Sequence, residues 1–76
     1  MSVNAHHYLN KIISIAIEDG TITSDDVFKL VDLYGSDHEN VMIDILSMVY
    51  QRRKDTKKLK EIQSVYREYR SSLHLS

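Results

Sequence analysis

The sequence contains no cysteine, no proline and no tryptophan, and only two glycines. Without cysteine there can be no disulfide, no thiolate metal site and no cysteine nucleophile. Without proline, and with glycine confined to positions 20 and 35, very little forces the backbone out of helix. Long apolar runs are missing too. No stretch approaches the roughly 18 consecutive apolar residues of a membrane span. The first residues also lack the basic-then-apolar order of a secretion signal, so a cytoplasmic location is expected. What remains is the balance of a soluble globular chain, with 42% hydrophobic and 28% charged residues in 76. That is too apolar for a disordered polypeptide. One domain spanning residues 1–76 is expected, with little interior beyond its own core.

The apolar residues fall at helical spacing. Leu9, Ile12, Ile13 and Ala16 repeat at i, i+3, i+4, i+7, which predicts a helix over about 3–17. Tyr8, Ile15 and Ile17 widen its apolar arc. Ser2 or Asn4 can cap its start, and Gly20 suits the left-handed residue that follows a helix. Thr23 and Ser24 offer the next cap, with Asp25 and Asp26 at the positive end of the helix dipole. Val27, Leu30, Val31 and Tyr34 then repeat the pattern up to Gly35. Ser36 and Glu39 have the S-x-x-E spacing of a capping box, which predicts a third helix starting at Ser36. From Val41 to Tyr50 that helix is apolar except at Asp44 and Ser47, the pattern of an element at the centre of a helical assembly. Beyond it, Leu59, Ile62, Tyr66, Tyr69 and Leu73 form a seam spaced alternately by three and four, the mark of a docked bundle helix or a short coiled coil. Asp55 or Thr56 can cap that helix. The expected fold is all-α: a small bundle of three short helices plus a longer, basic, amphipathic C-terminal helix.

The net charge of −1 hides an uneven distribution. Residues 1–51 carry two basic side chains against eight acidic ones, a balance of −6; residues 52–76 carry eight against three, a balance of +5. Such asymmetry points either to a charged partner or to a basic tail folded onto an acidic front.

Several chemistries are disfavoured. The stretch from Asp19 to Asp26 resembles the back half of a calcium-binding loop, but the alignment that uses Gly20 puts Ile15 and Ile17 where the first two oxygen ligands belong. His6 and His7 are adjacent and diverge on a helix, and no H-x-x-x-H pair exists, so no metal or other cofactor is expected. There is no glycine-rich phosphate loop and no nucleophile elbow, and an enzyme is not expected.

Binding to another macromolecule is left. Tyrosines and arginines along an amphipathic helix have the composition of interface hot spots. The expected partner surface comprises Tyr50, Arg52, Arg53, Lys57, Lys58, Ile62, Tyr66, Tyr69, Arg70 and Leu73. Its occupant is expected to be a protein, either a second copy through the third and fourth helices or a larger protein. The chain would then be a regulator, adaptor or inhibitor, a class that includes phage-encoded proteins. Nucleic acid is the alternative, since six basic residues fall between Arg52 and Lys60 with Tyr50, Tyr66 and Tyr69 nearby to neutralise phosphates and stack on bases. A third option is that the acidic front mimics DNA.

Overall fold

The computed structural model describes residues 4–52 and 56–75. These residues fold into helices α1 (Ala5–Ile17), α2 (Ser24–Tyr34), α3 (His38–Arg52) and α4 (Thr56–Leu75), with no strand among them. Local chemistry sets the boundaries. Asn4 accepts a hydrogen bond from the His7 backbone N–H and caps α1. The α1–α2 turn contains Gly20 at φ +81°, a conformation that costs glycine nothing. Thr23 and Asp26 form a reciprocal capping box at the start of α2, each side chain accepting the other's backbone N–H. Gly35 ends α2 at φ +60°.

The expected box at Ser36 and Glu39 does not form. Helix α3 starts two residues later, and it is Asp37 whose carboxylate accepts the Asn40 backbone N–H at 3.3 Å. The Asn40 side-chain amide donates to the same carboxylate. Aspartate is as good a helix cap as serine. Choosing it frees Glu39 to reach across to α4.

Helix α3 is the hub and packs against α1, α2 and α4, while α1 and α4 also pack on each other. The rings of His6 and His38 lie 5.6 Å apart, so α1 and α3 run parallel from neighbouring starts. Helix α4 runs antiparallel to both. Its far end meets the start of α1 through Tyr69 and Tyr8 (5.9 Å between rings) and the start of α3 through Arg70 and Glu39 (2.7 Å). Its near end meets the end of α1 through Lys58. Helix α2 packs chiefly on α3. The core consists of Leu9, Ile12 and Ala16 of α1, Ile22 of the turn, Leu30 of α2, Val41, Met42, Ile45 and Val49 of α3, and Ile62 and Tyr69 of α4. Among the described residues no helix is long and apolar enough to cross a membrane.

Candidate functional site

The basic tail lies on the acidic front. Arg52 clasps Asp26 with two hydrogen bonds, Nη1 to Oδ2 at 2.6 Å and Nη2 to Oδ1 at 3.2 Å, and Nη1 also donates to the Thr21 carbonyl at 3.1 Å. The Arg52 guanidinium, followed by the Thr23 N–H, holds the Asp26 carboxyl well below the usual carboxylate range. Arg70 donates to Glu39 at 2.7 Å, and this bond pushes the guanidinium further up from its already high value. Lys58 is buried. Its ammonium donates to the Ile15 carbonyl at 2.8 Å and lies 3.7 Å from both Glu18 and Asp19. A cation bonded to a last-turn carbonyl caps a helix C-terminus and complements its dipole. Lys58 therefore locks α4 onto the end of α1.

These contacts revise the expected partner surface. Ile62 and Tyr69 belong to the core, and Lys58 is covered by its own chain. In this fold all three are covered by the rest of the chain. The seam faces inward because α4 is clamped on both α1 and α3. Burial, then the Glu39 charge, pushes the Tyr69 hydroxyl up from its ordinary value. Tyr66 is half-buried beside it, with ring centroids 6.2 Å apart. Arg52 and Arg70 stay exposed, but their charges are matched by acids of the same chain. Lys57 is exposed, and Arg53 lies outside the described residues.

Tyr50 and Leu73 remain at the surface, 60% and 38% exposed. Tyr50 has company that the sequence reading missed. Ile43, 39% exposed, and half-buried Leu46 precede it on α3 at i, i+3, i+7, within an arc of roughly 60° on the helix surface. On α4, Leu59, Tyr66 and Leu73 recur every seven residues along the outer edge of the seam, each with part of its surface left uncovered. The Glu39–Arg70 pair sets the antiparallel register. In that register Ile43 is level with Tyr66, and Tyr50 with Leu59. The two stripes therefore border one shallow apolar trough between α3 and α4.

Next in sequence after Leu59 and Tyr66, and about 100° further around α4, stand Lys60 and Arg67. Both are exposed, and neither is among the ion pairs of the described residues. The trough thus has an apolar floor and a cationic edge that is unpaired among the described residues. Helix α2 exposes larger single side chains, Phe28 at 66% and Leu33 at 69%. These point about 140° apart at five residues' separation, so they form no joint patch, while Val31, 39% exposed, lies three residues on from Phe28 and makes a smaller two-residue patch with it.

Among the described residues no group of three or more His, Asp and Glu side chains converges to hold a metal ion. His6 and His7 are exposed and His38 is half-buried. Tyr34 donates to Asp44 at 2.7 Å, a bond that raises its hydroxyl above the ordinary value and ties α2 to α3. Comparison of the chain with protein-family models, with characterised proteins and with solved structures finds no significant match.

Proposed function

We propose that this chain is a non-enzymatic binding module, a small cytoplasmic regulator, adaptor or inhibitor that docks another protein against the face between α3 and α4. The basic amphipathic C-terminal helix supplies one wall of that face. The observation that carries the reading is Tyr50, a large aromatic side chain 60% exposed on the same stripe as Ile43 and Leu46. Aromatic anchors on a continuous apolar stripe, bordered by charge, are what protein interfaces concentrate at their centres. Nucleic acid fits less well. Arg52, Lys58 and Arg70 are engaged with acids of their own chain, which lowers the number of cations free to neutralise phosphates.

The test places a photo-crosslinking phenylalanine analogue at position 50 and, separately, at position 28. A captured protein is then purified and its affinity measured against the unmodified chain and against Tyr50→Ala and Ile43→Glu. The expected result is capture from position 50 and not from position 28, with affinity falling at least tenfold in both variants, as for an interface anchor. Equal affinity of the variants, or capture from position 28 alone, would overturn the assignment of this face.

A further inference from the structure

Resting on that reading, we infer that the α3–α4 trough accepts an amphipathic helix with acidic flanks, supplied by another protein. Geometry argues for a helix. The trough lies between two antiparallel helices and has no strand edge to extend. Leu59, Tyr66 and Leu73 mark it at heptad spacing over about 20 Å, the rise of fourteen helical residues. A third helix laid along such a trough buries its own stripe against both walls, the helix-in-groove mode of recognition.

Charge argues for acidic flanks and against a second copy of this chain. Lys60 and Arg67 stand along one edge of the trough and have no counter-ion among the described residues. If two copies met face to face with their α4 helices adjacent, those cations would be brought toward each other, and like charges across an interface oppose association. The acids of α4 that could relieve this, Glu61 and Glu68, lie about 80–120° around the helix from the two cations. A helix carrying glutamate or aspartate beside its apolar stripe would instead pair with Lys60 and Arg67 while its leucine-like residues cover Ile43, Tyr50 and Tyr66.

The probe is a labelled helical peptide of about three heptads, with one leucine stripe flanked by glutamates, measured by fluorescence anisotropy alongside a twin flanked by lysines. The acidic peptide should bind at least tenfold more tightly than its twin at about 0.05 M salt, with the advantage shrinking at about 0.3 M. The double variant Lys60→Glu/Arg67→Glu should abolish or invert the preference, and Tyr50→Ala should weaken both peptides. Both exchanges are at exposed positions, so the far-UV spectrum should not change. Equal binding of the twins, or binding of neither, overturns the inference. So does a concentration-dependent rise in mass that Tyr50→Glu removes, which would make the occupant a second copy while leaving the face a protein-docking surface. Displacement of the acidic peptide by mixed-sequence single-stranded RNA, with no protein captured at position 50, would instead overturn the proposed function itself.

Discussion

Replacing Ile62 with alanine separates the two roles that α4 combines. Ile62 has no exposed surface and sits where α4 meets the core residues of α1 and α3. Truncating a fully buried isoleucine to alanine removes its transfer free energy and leaves a cavity, typically a loss of about 2–5 kcal/mol. A chain of this length is expected to be stable by about 4–11 kcal/mol in all. A loss of ~3 kcal/mol would lower the midpoint of thermal unfolding by roughly 12–24 °C. Ile62→Val should cost only about 0.5–1.5 kcal/mol. By contrast, Tyr50→Ala lies on the surface and should stay within about 0.5 kcal/mol of the parent. Urea titration followed by far-UV circular dichroism gives all three numbers on the same scale. If Ile62→Ala costs less than about 1 kcal/mol, α4 is not docked as described, and the inward assignment of the seam fails. A large loss from Tyr50→Ala would mean that this ring is buried in the solution species.

Other perturbations address the contacts between α4 and the acidic front, and the α2–α3 link. Lys58→Met keeps the aliphatic stem but removes the donor to the Ile15 carbonyl, and it should cost about 1–2 kcal/mol, read as a lower urea midpoint with unchanged slope. Asp26 is held below the ordinary carboxylate range by Arg52 and Thr23. Its stabilisation is therefore complete above about pH 4 and disappears as the pH falls further; Asp26→Asn should flatten the acid limb of the stability profile. Tyr34 is shifted the other way by Asp44. Its contribution is intact below about pH 10 and declines as the pH rises beyond that, and Tyr34→Phe should remove that part of the alkaline decline.

The helices were legible because their signals are local. Periodicity in Leu9–Ala16 and Val27–Tyr34, the cap at Thr23 and the stop at Gly35 all operate within a turn or two of the residues concerned. The start of α3 was misplaced because Ser36 and Asp37 are both competent caps, and the S-x-x-E spacing favoured the wrong one. Which cap wins depends on what Glu39 can do elsewhere. Arg70 lies thirty-one residues along the chain, and no local pattern records it. Which residues of α4 are covered by the rest of the chain was illegible for a related reason. The seam Leu59–Ile62–Tyr66–Tyr69–Leu73 shows that α4 has an apolar face, yet a stripe seeking its own core and a stripe seeking a partner look alike in sequence. The converse error hid Ile43. A segment apolar nearly all round reads as wholly buried, whereas α3 has neighbours on only part of its circumference, and Ile43 and Tyr50 fall in the remaining arc.

On the proposed reading, that incomplete coverage bears on function more than the charge asymmetry does. A front at −6 and a tail at +5 suggest a molecule with two opposed fields, but ion pairs between them bring Arg52, Lys58 and Arg70 into the architecture. The exposed pairs contribute little stability each; Arg70 and the buried Lys58 fix the register of α4 against α3 and α1, while Arg52 ties α3 to the start of α2. Fixing that register has two consequences at once. It turns Ile62 and Tyr69 inward, and it holds Leu59 and Tyr66 level with Tyr50 and Ile43 across the trough. Lys60 and Arg67, about 100° further around α4, then lie beside it and are in no ion pair among the described residues. Specificity would follow from the surplus rather than the total. A partner of the proposed kind would meet an apolar floor beside two positive charges unpaired among the described residues, and loosening the Lys58 or Arg70 clamps would disturb that arrangement.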